Sequence, residues 1–454
     1  MRKIHRATLS EIRTISLESA GGICYKNPVA QVILRNAMKY KSSFLNEASA
    51  RGFFYQSTNL DAMDEFLTAK GRLGYLGFDV TAKSLHVGHL IPIFLLRLFQ
   101  KHGHRPILLM GGGTTKIGDP SFKSAARPIL TDEEIQENLQ GIKSCLRPFL
   151  KFGDGKSEAA LVNNADWLDR LEYVPFLREV GKYFSINRMI GFDSVKTKLT
   201  ENDSLSFLEF NYMILQAYDF YRLWTDMGCR IQFGGQDQWG NIVCGVELIR
   251  KKAGNEVFGF TNPLLITSDG KKMGKTAAGA VWLSEDLLPP YDFWQYWRNV
   301  NDADVIKLLY LFTDIELEEI RRMESVQGQE LNDLKILLAN EVTAIAHGRD
   351  SLSAIHQTTS GIFGVAGGDP SSLSSIPRYH LERSKAEGIS LVDILVESGE
   401  CGSRGDAKRL LRGGGVQVND RQADENYRIP ETVVAGDFLK LSCGKKRHLL
   451  VIIE

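Results

Sequence analysis

The sequence lacks a net charge, because 55 lysines and arginines balance 55 aspartates and glutamates across 454 residues. No global field attracts polyanions, so any nucleic-acid binding must depend on local basic surfaces. The 6 cysteines are scattered, with no Cys-x-x-Cys pair and no neighbouring histidine cluster. This spacing argues against a zinc site or a disulfide framework and indicates a reducing compartment. Long apolar runs are also missing: the longest, Leu90 to Phe99, is too short to span a bilayer and contains Pro92 and Arg97. We therefore expect a soluble protein with no membrane partner.

Acidic residues are scarce in residues 1–37, which carry Glu11 and Glu18 against basic side chains at positions 2, 3, 6, 13, 26 and 35. A basic, acid-poor leader is typical of an organellar transit peptide. The alternative is an upstream extension or a wrongly chosen start, because Met38 precedes a more ordinary helical pattern. We expect a cytoplasmic protein, or an organellar one if this N-terminal extension is a transit peptide.

Strand and helix patterns alternate through the first half of the chain. A helix running to residue 70 is predicted to begin after Thr58 or Asn59, and a strand ends at Tyr75 to Asp79. An apolar helix follows to about Gln100, and Pro92 requires that this helix begins late or bends. Further buried strands are predicted at 106–110, 160–163 and 230–233. The alternation indicates an α/β fold with a Rossmann-like, doubly wound parallel sheet, whose ligands bind beyond the carboxyl ends of the strands.

Composition divides the chain further. We predict an α/β domain over 38–285, an α-helical domain over 286–357, and a linker over 358–387 that includes a stretch rich in glycine, serine and threonine. Residues 388–454 are predicted to form a separate small α+β unit, with two helical patterns, a Gly413-Gly414-Gly415 turn and short strands.

A histidine pair follows the first long strand. His86-Val87-Gly88-His89 places two imidazoles three residues apart, on one face of any helix that starts there. Gly88 lets a ligand come close to the backbone. Imidazoles beside the N–H groups of a helix N-terminus provide the donors and positive potential that a polyphosphate requires. Taken alone, the tetrad is explained equally well without a ligand, by histidines that lie on the surface or in the core.

Two glycine- and lysine-rich segments differ from the familiar phosphate loops. Lys271 to Thr276 ends in Gly-Lys-Thr, but Asp269 stands where the Walker A pattern requires glycine. Gly111 to Lys116 fails the G-x-G-x-x-G pattern, because lysine occupies the last glycine position. Neither segment indicates a P-loop kinase or a dehydrogenase.

Polar residues interrupt two apolar segments. Tyr212, Gln216 and Asp219 fall on one face of an otherwise apolar helix, which favours a buried ligand pocket over a solvent face. Gly235 and Asp237 follow a predicted strand, where glycine permits close ligand approach and an acidic residue commonly takes ribose hydroxyls.

Together these segments resemble the class I aminoacyl-tRNA synthetases, and among them the tyrosyl-tRNA synthetases of the bacterial type. His86 to His89 is similar to the HIGH motif, and Lys272 to Thr276 is similar to the KMSKS loop in its K-x-G-K-[ST] form. The resemblance extends in order over residues 40–454 and includes a C-terminal unit similar to an S4 RNA-binding domain. It implies an ATP-dependent tyrosine–tRNA ligase, with a helical dimerisation region inserted in the catalytic domain and the α-helical domain on the anticodon side.

The resemblance also implies which residues bind tyrosine. Tyr75 and Asp219 would hold the phenol hydroxyl, and a site built to bond a hydroxyl rejects an analogue that lacks it. The ammonium group of the substrate would be bound by Asp119, Tyr212 and Gln216. Gln238 would lie near its carboxyl group.

ATP would bind as its Mg²⁺ complex, and no protein-bound metal is predicted. Asp237 would take the ribose, within a set of ATP contacts formed by Gly77, Asp79, His86, Gly88, His89, Gly235, Asp237, Lys272 and Lys275. Because a carboxylate is already nucleophilic at neutral pH, positioning and charge stabilisation would dominate catalysis. The catalytic contacts to the polyphosphate would come from Thr81, His86, His89, Lys123, Arg127, Lys272, Lys275 and Thr276.

Three positions depart from the family pattern. Val80 stands where proline is common, Phe122 replaces a glycine, and Gln236 replaces a serine. Phe122 is expected to alter how Lys123 is presented, whereas Gln236 only neighbours the ribose aspartate.

The C-terminal unit contains a basic helix that Ser403 can cap. Arg404, Lys408 and Arg412 share one face, which suits phosphate contacts, and the resemblance implies that this face binds tRNA(Tyr). The alternative is an ordinary solvated helix face. The resemblance further implies a homodimer.

Three other functions stay open. A tryptophanyl-tRNA synthetase is the nearest, although Tyr75 with Asp219 suits a phenol. A small-molecule adenylyltransferase explains the histidine tetrad but neither the Lys272 loop nor the C-terminal unit. A regulatory or splicing RNA-binding protein derived from a synthetase would not require the intact Lys272 and Lys275.

Overall fold

The main sheet lies in the first two thirds of the chain. The computed structural model describes residues 40–119, 130–200, 205–276, 279–356, 377–386, 388–419, 421–429, 438–444 and 447–453. The strands of the main sheet are β1 Gln56–Ser57, β2 Leu73–Asp79, β3 Arg105–Gly111, β4 Ala160–Asn163, β5 Ile231–Gly235 and β6 Phe258–Asn262. Their order is β1-β6-β5-β2-β3-β4, and all neighbours are parallel except β1 and β6. The predicted doubly wound parallel sheet is confirmed. Its chain order reverses between β2 and β5, where open α/β sheets bind their ligands.

Helices connect these strands and extend beyond them. They are α1 Ser43–Arg51, α2 Leu60–Phe66, α3 Leu90–Lys101, α4 Gly112–Thr115, α5 Asp132–Leu146, α6 Ala165–Leu168, α7 Tyr173–Glu179, α8 Ile186–Ile190, α9 Asp193–Thr200, α10 Phe207–Met227 and α11 Trp239–Ala253. Asn59 caps α2 as predicted, but the helix ends at Phe66 instead of residue 70, before Gly71 turns the chain at φ +73°. Pro92 lies in the first turn of α3, where its missing N–H costs no hydrogen bond, so this helix begins late. No helix in these described ranges is both long and apolar enough to cross a membrane.

The helical region shares its core with the main sheet. A small antiparallel pair, β7 Lys275–Thr276 and β8 Gly279–Ala280, leads into α12 Pro290–Arg298, α13 Val305–Phe312, α14 Leu317–Met323 and α15 Leu331–His347. The ring of Phe312 lies 5.4 Å from that of Phe94 on α3 and 5.4 Å from that of Trp297 on α12. The chain therefore has no break in its apolar core at the predicted boundary between residues 285 and 286.

The C-terminal unit has its own sheet and core. Its elements are β9 Arg378–Leu381, α16 Arg383–Ala386, α17 Leu391–Glu397, α18 Arg404–Arg412, β10 Val416–Val418, β11 Arg421–Gln422, β12 Phe438–Cys443 and β13 Arg447–Ile453. The sheet order is β11-β10-β12-β13-β9, with β9 parallel to β13. Residues 378–386, which the sequence assigned to the linker, therefore belong to this unit. Their short run has no periodic pattern, and a pairing partner about 70 residues away fixes them. Leu450 of β13 is fully buried in the core that the sheet and helical domains share.

Candidate active site

A cavity of about 870 Å³ opens beyond the carboxyl ends of β2 and β5. It lies at the switch point of the main sheet and has the size of a small-molecule site. The predicted site residues that line this cavity are Tyr75, Gly77, Asp79, Thr81, His86, Gly88, His89, Asp119, Tyr212, Gln216, Asp219, Gly235, Asp237 and Gln238.

A tyrosine and an aspartate are both buried at the inner end of the cavity. The Tyr75 hydroxyl has no hydrogen-bond partner among the described residues, and its ring lies 5.3 Å from that of Phe220. Burial, and then the charge of Asp219, raise the pKa of Tyr75 well above its usual value, so its phenol stays protonated. A buried hydroxyl without a partner is costly in a closed protein and is typical of a position that a ligand completes.

Asp219 is held by two donors. Its carboxylate accepts hydrogen bonds from Asn164 Nδ2 at 2.9 Å and from Trp167 Nε1 at 2.7 Å. Burial raises the pKa of Asp219 to about 7, although these two hydrogen bonds act to lower it. The orientation of the carboxylate is therefore fixed by its two donors, and the group changes between its charged and neutral forms near neutral pH.

A second carboxylate lies toward the middle of the cavity. Asp79 Oδ1 accepts hydrogen bonds from the Tyr212 hydroxyl at 3.0 Å and from Thr114 Oγ1 at 3.2 Å. Burial, followed by the charges of Asp79 and Asp119, raises the pKa of Tyr212 well above its usual value. The sequence grouped Asp79 with the ATP contacts, whereas its carboxylate here belongs to the same cluster as Tyr212. Several carboxylates around one cavity create the negative potential that an ammonium group prefers.

Side-chain amides complete this part of the wall. Gln238 Nε2 donates to Asp119 Oδ2 at 2.9 Å. Asn241 on α11 donates from Nδ2 to Gln216 Oε1 at 2.9 Å and to Gln238 Oε1 at 3.1 Å. These contacts link residues that lie far apart in sequence.

The histidine tetrad forms a short 3₁₀ turn over Val87–His89. The backbone N–H of Gly88 donates to His86 Nδ1 at 3.0 Å, and the N–H of His86 donates to His89 Nδ1 at 3.2 Å. Because both Nδ1 atoms accept, each neutral ring carries its hydrogen on Nε2. The two ring centroids lie 4.1 Å apart, so both imidazoles line the same part of the cavity wall.

The Lys272 loop packs directly on this turn. A Cβ added to Gly274, whose φ is +106°, would lie 2.6 Å from the backbone nitrogen of Gly88. The N–H of Val87 donates to Val281 O at 2.9 Å, and the N–H of Val281 donates to Gly274 O at 3.0 Å. Glycine is required at position 274 by both its backbone conformation and its contact. The predicted partnership of the two segments is thus visible as backbone contact.

Lys272 itself has an exposed side chain and is not among the residues that line the cavity. Burial and the charge of Asp119 raise the pKa of Asp237, while the charge of Lys272 acts to lower it. Lys272 therefore contributes positive potential near the predicted ribose aspartate. In the described part of the chain, no group of three or more histidine, cysteine or acidic side chains could hold a metal ion.

Several predicted residues cannot be located in the site. Phe122, Lys123 and Arg127 lie outside the described residues. Lys275 and Thr276 form the backbone of β7, but their side chains also lie outside the described part.

Four polar residues around the cavity were not predicted from the sequence to belong to the site. Asn164 and Trp167 follow β4, Thr114 follows β3, and Asn241 lies in the first turn of α11. The rule that ligands bind beyond strand ends could have identified the first three. Nothing in the sequence distinguishes Asn241 from an ordinary buried amide.

The comparisons with known proteins agree with this geometry. A family model described as tRNA synthetases class I (W and Y) matches residues 72–364, and an S4 domain model matches residues 390–434. The tyrosine–tRNA ligase of Novosphingobium aromaticivorans is 54% identical over 411 residues, which cover 90% of this chain and 98% of that protein. The chain belongs to the tyrosyl-tRNA synthetases of the bacterial type. The family resemblance predicted from the sequence is confirmed.

Two further proteins support this membership. The tyrosine–tRNA ligase of Wolbachia sp. subsp. Brugia malayi is 50% identical over 421 residues, covering 92% of this synthetase and 100% of that protein. A solved C-terminally truncated mitochondrial tyrosyl-tRNA synthetase from Aspergillus nidulans superimposes with a TM-score of 0.64 at 27% identity. The match covers 73% of this chain and 97% of that one.

The basic helix of this synthetase is partly neutralised. Ser403 caps α18 as predicted, accepting from the N–H of Asp406 at 3.2 Å. Arg404 forms an ion pair with Asp393, and Arg412 pairs with Glu425 at 2.8 Å. Lys408 is exposed and forms no ion pair within the described ranges.

Proposed function

We propose that the chain is a tyrosine–tRNA ligase in which the cavity residues act as the family resemblance implies. In the first step, the tyrosine carboxylate attacks the α-phosphate of Mg²⁺–ATP and displaces pyrophosphate, which gives tyrosyl-adenylate. In the second, the 2′ or 3′ hydroxyl of the terminal adenosine of tRNA(Tyr) attacks the tyrosyl carbonyl and releases AMP. The observation that carries the proposal is the buried Tyr75 hydroxyl, which has no hydrogen-bond partner among the described residues and lies in a cavity that Asp219 and the histidine pair also line.

Tyr75 and Asp219 select the amino acid. The phenol hydroxyl of the substrate donates to the Asp219 carboxylate and accepts from the Tyr75 hydroxyl. Asn164 and Trp167 support this role because they fix the carboxylate before the substrate arrives. Phenylalanine would leave both groups without a partner, which accounts for its rejection.

The ammonium group binds at the acidic middle of the cavity. Tyr212, Gln216 and Asp119 accept its hydrogen bonds, and Gln238 lies near the carboxyl group. The negative charge of Asp79 beside Tyr212 supports this placement, because it adds to the potential at the ammonium site.

The nucleotide binds beside the histidine turn and the Lys272 loop, which contact each other. Asp237 takes the ribose, and glycines at 77, 88 and 235 allow close approach. His86 and His89 contact the polyphosphate, and Lys272 adds positive charge as pyrophosphate leaves. Thr81, Lys123, Arg127, Lys275 and Thr276 join them in the transition state. Mg²⁺ enters with ATP as part of the substrate.

The synthetase acts as a homodimer through its inserted helical region. Large apolar side chains are exposed between residues 173 and 208, namely Tyr173, Val174, Leu177, Ile186, Ile190, Leu199, Phe207 and Leu208. Exposed apolar surface concentrated in one segment is typical of a protein interface. The S4-like unit binds tRNA(Tyr) through α18. The protein works in the cytoplasm, or in an organelle if residues 1–37 are a transit peptide.

ATP–pyrophosphate exchange with each amino acid in turn tests the function. We expect exchange with tyrosine alone. Exchange with tryptophan would instead identify a tryptophanyl-tRNA synthetase. An absence of exchange with every amino acid, in a protein that still binds RNA, would identify a synthetase-derived binding protein.

A further inference from the structure

Asn241 is a buried amide that touches two proposed tyrosine-binding side chains. It lies on α11 with 4% of its surface exposed. Its Nδ2 group has two hydrogens, and they are donated to Gln216 Oε1 at 2.9 Å and Gln238 Oε1 at 3.1 Å. The two glutamines come from α10 and from the turn that precedes α11, so Asn241 joins two separate elements of the wall.

A glutamine side chain can present either its oxygen or its nitrogen at the same point. A half turn exchanges the acceptor and the donor at almost no cost in shape. Because Asn241 offers only donors on this side, both glutamines must turn their Oε1 atoms toward it. Gln238 then directs Nε2 to Asp119, where a bond of 2.9 Å is formed. Gln216 Oε1 keeps a second lone pair, so it can accept a hydrogen bond from an ammonium group as well as the one from Asn241.

We propose that Asn241 is a positioning residue for tyrosine binding. By fixing the amide orientation of Gln216 and Gln238, it ties the ammonium contact, the carboxyl contact and Asp119 into one prearranged network. It touches neither substrate nor reacting atoms and acts through the glutamines. This inference rests on the tyrosine-binding roles proposed above for those two residues.

Two substitutions separate orientation from packing. Asn241→Asp keeps the shape and volume of the side chain but replaces the donor with an acceptor, so both glutamine oxygens are repelled. Asn241→Ala removes the donor without adding charge and favours the helix. Asn255→Asp is the matched control, because it makes the same chemical change at an exposed position just beyond α11.

Equilibrium tyrosine binding and the KM values for tyrosine and ATP in pyrophosphate exchange are the readouts, with folding checked by circular dichroism. We expect Asn241→Ala to weaken tyrosine binding about 10-fold, the effect of losing roughly two neutral hydrogen bonds. Asn241→Asp should weaken it at least as much, although it fills the same space, and the KM for ATP should change less than about 2-fold in both. Asn255→Asp should match the natural protein.

Three results would overturn the proposal. The first is tyrosine binding within about 2-fold of the natural value in folded Asn241→Ala. The second is an equal loss of tyrosine and ATP affinity, and the third is restoration of binding by Asn241→Asp, which would indicate packing alone. Gln216→Ala and Gln238→Ala separate the positioning role of Asn241 from the tyrosine-binding roles of the two glutamines. If these variants weaken tyrosine binding and Asn241→Ala does not, only the positioning role fails. If none of them does, the proposed roles of the glutamines fail as well.

Discussion

Asp219 carries a charge that is sensitive to pH near neutrality. Burial raises its pKa to about 7, so the ligand-free protein exchanges a charged carboxylate for a neutral carboxyl group in the range where enzymes are assayed. A charged acceptor holds a phenol hydroxyl more strongly than a neutral one. Tyrosine recognition is therefore coupled to the ionisation of one residue.

This coupling predicts the direction of the pH dependence. We expect kcat/KM for tyrosine in pyrophosphate exchange to fall as pH decreases through about 7, because Asp219 becomes protonated. Asp219→Asn should weaken tyrosine binding about 10-fold or more and flatten the profile. Asp226→Asn, an exposed change on the same helix, is the control.

The same pKa shift affects stability with a defined sign. Between the ordinary carboxyl value of 3.8 and about 7, the folded protein binds more protons at Asp219 than the unfolded chain does. The contribution of this residue to the free energy of unfolding is therefore lost as pH rises through that window. Thermal unfolding of the Asp219→Asn variant should lack this component, and an unchanged pH slope would contradict the shift.

Lys272 is predicted to act in chemistry more than in tyrosine binding. Its side chain is exposed, and its charge acts on Asp237 in the cavity wall. Lys272→Ala should slow adenylate formation by roughly 100-fold, because charge on the departing pyrophosphate loses a partner, while tyrosine Kd stays within about 2-fold. Lys271→Ala, which removes a surface ion pair with Asp269, should leave both unchanged. Stopped-flow measurement of the first step decides; equal losses in rate and binding would count against the assignment.

Sequence reasoning named residues that the structure brings together around one cavity, and their roles there stay predictions, but it missed the side chains that support them. Tyr75, Asp219 and the histidines lie around one cavity, as predicted. Asn164, Trp167 and Asn241 were missed because a polar residue after a strand or inside a helix does not reveal its partner. The hydrogen bonds that hold them depend on contacts across the fold.

At the level of elements, the contact between the 3₁₀ turn and the Lys272 loop constrains both. Gly274→Ala would place a methyl group against Gly88 in a backbone conformation that side chains rarely adopt. We expect this variant to lower the adenylation rate substantially, because the loop must move away from the histidines.

The control for this change is Gly270→Ala in the same loop. Gly270 also has a positive φ, at +81°, but an added Cβ would meet nothing within 4 Å. It reproduces the backbone strain, about 1 kcal/mol, without the contact. Equal adenylation rates in the two variants would show that contact with Gly88 is unimportant.

Helix α18 is a basic element whose charges are unequally available. Lys408 has no ion-pair partner among the described residues, whereas Glu425 engages Arg412. Lys408→Ala should weaken tRNA binding and reduce the slope of log affinity against log salt by about 1. Glu425→Gln releases Arg412 and should strengthen binding. Filter binding across a salt series measures the tRNA affinity of both variants. Stronger binding by Lys408→Ala together with weaker binding by Glu425→Gln would exclude this face as a tRNA contact.

The elements themselves were largely predictable. Strands β2, β3 and β5 and helix α10 have strong apolar patterns, and the structure places them as expected. Strand β4 forms where predicted, but it is half-buried instead of buried because it lies at the edge of the sheet. Helix α2 ends early and β9 was not found, because short segments are decided by their neighbours more than by their own sequence.

For the whole molecule, the exposed apolar segment predicts an obligate assembly. Phe207, the first residue of α10, is 69% exposed, although the sequence predicts that the apolar side chains of this helix surround a buried pocket. Phe207→Glu should convert a dimer to a monomer in sedimentation velocity and reduce aminoacylation. Leu287→Glu changes an exposed leucine outside this segment and should leave the mass unchanged. A Phe207→Glu protein that remains dimeric would place the interface elsewhere.

The predicted domain boundaries stay predictions, except that the linker was drawn too long. The sheet and helical regions were separated at 285, although Phe94, Trp297 and Phe312 pack together. Residues 378–386 were given to the linker, although β9 pairs with β13. Composition marks flexible or polar stretches, but it does not register packing between distant segments.

The position of β13 has a consequence for biosynthesis. It lies inside its sheet, between β12 and β9, yet the ribosome makes it after every other strand of that sheet. The main sheet, by contrast, has all its strands once β6 is made. During translation, the strands of the main sheet can pair while the RNA-binding half still waits with β9 unpaired. A stalled chain that ends before residue 447 would thus expose a strand edge, the feature that quality-control proteases and chaperones bind.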